Sequence, residues 1–330
     1  MATYKGIKGF SIQNLSADPS NLIEGEIWYN STSRVWKVES FQLATWASGG
    51  NMGTGRYALG GAGTQTAGLG FGGYAPPPVS YSTLTEEYDG ASWTSGGSMS
   101  NGRYILAGCG TQTAALGFGG TNDSSLFNYT EEYNGSSWTG GGPLNTARQG
   151  LAGAGTQTSA LAFGGMNVQP VTLTGATEEY NGSTWATSPG SLNTVRYQLA
   201  GAGTQTAALG FGGTILPSPN TGATEEYDGT SWATSPGSLN TVRVSLGAAG
   251  IQTAALGFGG APGTLTATEE YDGSIWTSTT SMSTGKNRSG GAGTSSSALA
   301  FGGSRSGVPS SNITEEWTGA APLTVTITAS

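Results

Sequence analysis

The 330-residue chain contains no histidine. That absence removes the side chain that most often acts as a general base near neutral pH, and the commonest metal ligand. A single cysteine, Cys109, excludes an intrachain disulfide and a thiolate metal cluster. Cys109 stands where other copies of an internal repeat carry Ala62, Ala154 or Ala202, so it is expected to be a packed core thiol rather than a reactive one. Charge is scarce: 10% of residues are Asp, Glu, Lys or Arg, too few for a solvated disordered chain. The balance is −8, so no nucleic-acid surface is expected. No apolar run approaches the roughly 18 residues of a bilayer span. The opening MATYKGIKGF lacks the apolar core of a secretory signal. No membrane insertion, metal or cofactor is therefore expected.

What the chain has in abundance is glycine, 58 residues of it, and much of that glycine is periodic. Phe-Gly-Gly occurs six times, at 71–73, 118–120, 163–165, 211–213, 258–260 and 301–303. The spacing is 43 to 48 residues, a period that signals a propeller or an array. One copy reads as four strands. A small apolar run follows Arg148, where glycine lets backbones approach closely. Thr156-Gln157-Thr158 turns into a second strand, Ala160 to Gly165, and a third covers Thr177 to Tyr180. Asn181-Gly182 predicts a two-residue hairpin turn into a fourth strand carrying Trp185. Four antiparallel strands per repeat make a propeller blade. The recurring Tyr and Trp, such as Tyr180 and Trp185, are expected between blades, because one sheet cannot bury both of its faces.

The last copy ends Glu315-Glu316-Trp317-Thr318-Gly319, and Pro322 stands where its fourth-strand Trp should be. The missing strand has a candidate at the other end of the chain. Trp46 precedes Arg56 as Trp93 precedes Arg103, so residues 42–48 are predicted to complete the last blade and hide its edge. The expected organisation is all-β: an N-terminal segment over 1–40, a six-bladed propeller over 41–321, and a C-terminal strand or tail over 322–330. The alternating run Leu323 to Thr328 reads as that strand, covering the edge of its own ring or pairing with a partner.

The order apolar run, Gly-Gly, acidic-x-Tyr, turn, Trp, then Pro-Leu-Asn-Thr-x-Arg resembles the kelch repeat, and Glu131 to Arg148 is similar to the same stretch of kelch propellers in intracellular adaptors. The resemblance covers about residues 42–318 and implies a kelch-like propeller, a fold with many functions. The N-terminal segment differs. Asp18-Pro19-Ser20-Asn21 and Gly25-Glu26-Ile27-Trp28-Tyr29-Asn30 resemble segments of bacteriophage tail and other virion proteins. Trp28, Tyr29 and Trp36 are its candidates for attachment to a tail or capsid partner.

Alternating turns divide the propeller into two faces. The Thr-Gln-Thr and Asp/Asn-Gly turns share one face and barely vary between copies. The second-to-third connections share the other and vary freely, and binding usually lives on such loops. Candidates there are Tyr74, Pro77, Asp123, Phe127, Asn167, Gln169, Leu216 and Asn220. The same face is expected to carry a ring of arginines: Arg56, Arg103, Arg148, Arg196, Arg243 and Arg288. Two readings stand open. The ring is an anion site for carboxylated or phosphorylated glycans, or each arginine pairs with a repeat glutamate such as Glu131 or Glu178. In kelch adaptors, arginines at similar positions bind acidic peptides, which gives the alternative function of an intracellular adaptor.

Adjacent glutamates on a strand point to opposite faces, so the Glu-Glu pairs do not converge as a glycosidase acid pair. Missing histidine and equal copies argue against an enzyme. The expected function is therefore a phage virion structural protein, made in the host cytoplasm and carried on the tail or capsid surface. It would present a propeller to a host-surface glycan or protein, or to another virion protein.

Overall fold

The computed structural model describes residues 13–20, 26–78, 80–167, 172–217 and 219–327, and all of their regular structure is β. The chain divides into two compact units, residues 45–318 and residues 1–44 with 319–330.

Within residues 45–318, each of the first five repeats folds into its own four-stranded antiparallel meander. The third copy comprises Ala152–Thr156, Ser159–Phe163, Thr177–Tyr180 and Trp185–Thr187. Its first strand alternates small buried and half-buried residues because the first strands of neighbouring sheets lie against one another. A Cβ on Gly61 would stand 2.6 Å from the Gly291 carbonyl oxygen, so side chains there would force the sheets apart. The contacts run from sheet to sheet in chain order, and the first strand of the last sheet, Gly290–Gly293, meets that of the first, Gly60–Gly63. This repeated architecture fits a β-propeller.

The core lies between sheets. Phe118 packs on Trp185 of the next sheet with ring centroids 4.9 Å apart, and Phe71 on Trp138 at 4.8 Å. Each tryptophan also donates its indole N–H across the gap, Trp185 to Thr130 Oγ1 at 2.9 Å and Trp138 to Thr85 Oγ1 at 2.8 Å. The buried ring thus keeps its polar atom satisfied. Cys109 lies in this core, and burial pushes its thiol up to about 12, out of the reactive range.

The last sheet takes its fourth strand from the other end of the chain, as the sequence predicts. Thr45–Ser48 pairs antiparallel with Thr314–Thr318, Trp46 opposite Trp317. Trp46 donates to Thr268 Oγ1 at 2.9 Å and packs against Phe258, repeating the contacts of the other fourth-strand tryptophans.

Two expectations are corrected. The Asp/Asn-Gly turns are not two-residue hairpins: Tyr180 pairs with Trp185, which leaves residues 181–184 as the loop. Only the glycine has positive φ (Gly182, 86°), and Asn181 Oδ1 accepts the N–H of Ser183 and Thr184, a side-chain cap that a type I′ turn would not need. The C-terminal run is a strand, Ala321–Ile327, but it pairs with Val35–Gln42 instead of covering a sheet of the repeat.

That pairing builds the second unit, a four-stranded sheet in the order Gln13–Leu15, Ile27–Asn30, Val35–Gln42, Ala321–Ile327. Asp18 is its polar hub. Its carboxylate accepts from Trp28 Nε1 (3.1 Å) and Asn30 Nδ2 (2.7 Å) and pairs with Lys37 Nζ (2.5 Å), and these bonds, Lys37 first, hold its pKa down at about 2.

Candidate binding face

Five arginines of the repeat, Arg56, Arg103, Arg148, Arg196 and Arg243, are fully buried. Each Nη2 pairs with the first glutamate of its own repeat: Glu86 at 2.9 Å, Glu131 at 3.2 Å, Glu178 at 2.9 Å, Glu225 at 3.1 Å and Glu269 at 2.9 Å. Arg148 Nη1 also donates to the carbonyls of Gly164 (3.1 Å) and Ala176 (2.7 Å), which tie the second strand to the connection that follows it. The other glutamate oxygen is occupied too, as where Glu178 Oε2 accepts Asn145 N–H at 2.7 Å. Burial pulls the guanidinium pKa values down and the glutamates oppose it. Of the two readings of the arginines, five of them follow the pairing with repeat glutamates and not the anion site: these cations are enclosed and already partnered.

Arg288 is not the sixth member. Lys286 is, fully buried, with Nζ 3.4 Å from Glu315 Oε1. The spacing Thr146-Ala147-Arg148, Thr194-Val195-Arg196, Thr284-Gly285-Lys286 carried that signal. Arg288 belongs instead to a second ring, two residues past each buried cation. Ala58, Ile105, Gly150, Gln198, Ser245 and Arg288 all have φ between 52° and 62°. Their peptides hydrogen-bond in a cycle: Ile105 N–H to Ala58 O (2.8 Å), Gly150 to Ile105 (3.1 Å), Gln198 to Gly150 (2.7 Å), Ser245 to Gln198 (2.9 Å), Arg288 to Ser245 (2.8 Å) and Ala58 to Arg288 (2.7 Å). A cavity of about 100 Å³ lies at this ring, walled by Leu59, Leu106, Leu151, Leu199 and Leu246, with Gln198, Ser245, Arg288 and Ser289 as its polar groups.

The second glutamate of each pair faces the opposite way, as expected, and reaches the next sheet. Glu132 Oε1 accepts the Tyr180 hydroxyl at 2.5 Å, and Glu179 that of Tyr227 at 2.6 Å. Gln157, in the turn between the first two strands, donates to the Tyr133 carbonyl at 2.7 Å. The sequence reading missed these sheet-to-sheet ties, although both residues recur with the repeat. The glutamates thus serve the framework, and no carboxyl pair converges. Among the described residues no group of three His, Cys, Asp or Glu side chains could hold a metal ion.

A tyrosine cluster lies beside the ring. Tyr74 and Tyr81, on the short hairpin Tyr74–Ala75 with Ser80–Tyr81, pack against Tyr57 and Tyr104. Asp123 accepts the hydroxyls of Tyr81 (2.9 Å) and Tyr104. Desolvation and then Asp123 raise the pKa of Tyr104, and Asp123 first raises that of Tyr81. The Arg288 guanidinium lies 5.8 Å from the Tyr57 ring centre. Of the other loop candidates, Phe127 stacks on Tyr129 at 4.9 Å, Asn220 accepts Thr214 Oγ1 at 2.8 Å, and Pro77 and Leu216 are exposed. Asn167 is half-buried, and Gln169 lies outside the described residues.

In the N-terminal unit, Trp28 is buried on Asp18 and does not offer a docking surface, contrary to expectation. Tyr29 and Trp36 lie on the opposite face, 5.3 Å apart, with Trp36 exposed.

No family model matches the sequence, and no curated protein matches it. A solved structure of the protein YjhT superposes with a TM-score of 0.68 at 14% identity, covering 83% of this chain and 99% of that one. At that identity the likeness carries the fold alone.

Proposed function

We propose that this chain is a bacteriophage virion protein: a six-bladed, kelch-like propeller whose variable-loop face contacts the host surface or a neighbouring virion protein. The observation that carries the reading is where the repeat symmetry breaks. The arginines, glutamates, tyrosines and tryptophans that recur are consumed in holding the sheets together. The accessible chemistry gathers on one face, where Tyr74, Tyr81 and Asp123, which do not recur, meet Tyr57 and Tyr104. Such a division suits a binding module better than an enzyme. The adaptor alternative needs arginines at the surface to grip an acidic peptide, and five of the six are buried.

The N-terminal unit supplies the means of attachment. Register places Ile27, Tyr29, Trp36, Val38, Leu323, Val325 and Ile327 on one face of its sheet. Ile27, Trp36, Leu323, Val325 and Ile327 are each at least 40% exposed. An apolar face of this kind marks an interaction site. The partner is another virion protein, in line with the resemblance of the N-terminal segment to tail and virion components.

Mass spectrometry of purified particles, counting this chain against the major capsid protein, tests the reading. Near-stoichiometric copies place it on the capsid surface, and a few copies per particle place it on the tail. Absence from particles overturns it.

A further inference from the structure

We infer that the cluster of Tyr57, Tyr74, Tyr81 and Tyr104 around Asp123 is a binding site for a neutral saccharide. The inference rests on the reading of the variable-loop face as the binding face and names its ligand class.

The cluster is no requirement of the fold. Bridge partners equivalent to Tyr74 are Thr121, Met166, Thr214, Ala261 and Ser304, and the position shared by Tyr57 and Tyr104 is tyrosine again at Tyr197 but Gln149, Val244 and Asn287 in the other three copies. The tyrosines are nevertheless mutually fixed. Ring centroids are 5.3 Å apart for Tyr57–Tyr74, 5.7 Å for Tyr74–Tyr81, 5.8 Å for Tyr74–Tyr104 and 6.0 Å for Tyr81–Tyr104. All four remain half-buried, so part of each ring meets solvent. Tyrosine offers a large amphipathic contact at low entropic cost, and rings already locked by their neighbours lose little more on binding.

Hydrogen-bond polarity selects the ligand. Tyr81 and Tyr104 both spend their O–H donors on Asp123. Their phenolic oxygens keep acceptor capacity, as do the lone pairs of the exposed carboxylate. The site therefore presents the acceptors of Asp123, Tyr81 and Tyr104 and the donors of Tyr57, Tyr74 and Arg288 beside apolar ring surface, and it suits a ligand that exchanges hydrogen bonds both ways while laying down an apolar face. A pyranose does both, through its hydroxyls and its C–H faces. The exposed carboxylate, on a chain of net charge −8, disfavours an anionic sugar.

Affinity electrophoresis of the full-length protein through native gels containing dextran, mannan or galactan tests the assignment. At least one polysaccharide should retard the wild type. Tyr74→Ala and Asp123→Asn should each weaken the apparent affinity about tenfold, while Ile275→Ser, at an exposed turn outside the cluster, leaves it within about twofold. Tyr81→Phe keeps the ring and removes one hydroxyl, so a loss of affinity there reports on the site, not on folding. No retardation by any of the three overturns the inference, as does equal retardation of every variant. Retardation only by dextran sulfate, abolished by Arg288→Ala, would overturn it in favour of an anion site. The gels do not depend on where the protein resides, so saccharide binding by a chain absent from particles would sink the virion reading and leave this one standing.

Discussion

Trp46 lies directly opposite Trp317 in the outer pair of strands of the last sheet, with ring centroids 5.3 Å apart. Residues near opposite ends of the repeat region are thereby joined in one sheet. Trp46→Ala removes this contact, the packing on Phe258 and the bond to Thr268. It should cost about 3–5 kcal/mol, measured by denaturant unfolding. The exposed edge it loosens should also make the variant aggregate sooner on heating.

The buried ion pairs give a second prediction. Arg148→Met or Glu178→Leu alone strands a buried charge and should cost about 3–5 kcal/mol. The double variant loses no charge partner, only the caps on the Gly164 and Ala176 carbonyls and on Asn145 N–H, about 1–3 kcal/mol. A double-mutant cycle should therefore show strong non-additivity. Additive losses would mean that the pair is not coupled.

Lys286 is the weak member of its set. Its ammonium sits 3.4 Å from Glu315 and 3.4 Å from the Ile313 carbonyl, longer than the matching contacts of Arg148. Lys286→Arg should supply the two nitrogens used in the other copies, Nη2 to the glutamate and Nη1 to backbone carbonyls, and stabilise the protein by about 0.5–2 kcal/mol in thermal unfolding.

Stability should also fall in alkali. Desolvation and then the partner glutamates raise Tyr88, Tyr133, Tyr180, Tyr227 and Tyr271 from 10.0 to about 12. The folded chain holds these protons more tightly than the unfolded chain. Their contribution is thus complete below pH 10 and is lost as pH rises toward about 12. Unfolding midpoints across that window check the sign. Tyr180→Phe should flatten the dependence.

The fold was largely legible because its determinants recur at fixed spacing. Even the strand around Trp46 could be assigned, since Trp46 and Arg56 repeat the interval of Trp93 and Arg103. The site was less legible. Arg288 was counted as the sixth cation because arginine is the majority residue, whereas the interval from Thr284 selects Lys286. Residue type alone misleads: Arg148 is enclosed, whereas Arg288, two residues further along its repeat, lines the ring of positive-φ residues. The tyrosine cluster was seen only through Tyr74 and Asp123. Tyr57 and Tyr104 precede the first strands, and only the closure of neighbouring sheets brings them against the Tyr74–Tyr81 hairpin. Similarly, the pairing of Val35–Gln42 with Ala321–Ile327 links segments with no shared motif.

The central claim is a division of labour, with the repeated charges building the framework and the tyrosine cluster around Asp123 doing the binding. Binding of fluorescently labelled full-length protein to host cells tests it, with variants compared where circular dichroism shows each folded. Tyr74→Ala with Tyr81→Ala should weaken binding about tenfold or more, and Arg148→Met with Glu178→Leu should bind as the wild type does. Loss of binding in the buried-pair variant, with binding retained when both tyrosines are gone, would contradict the account.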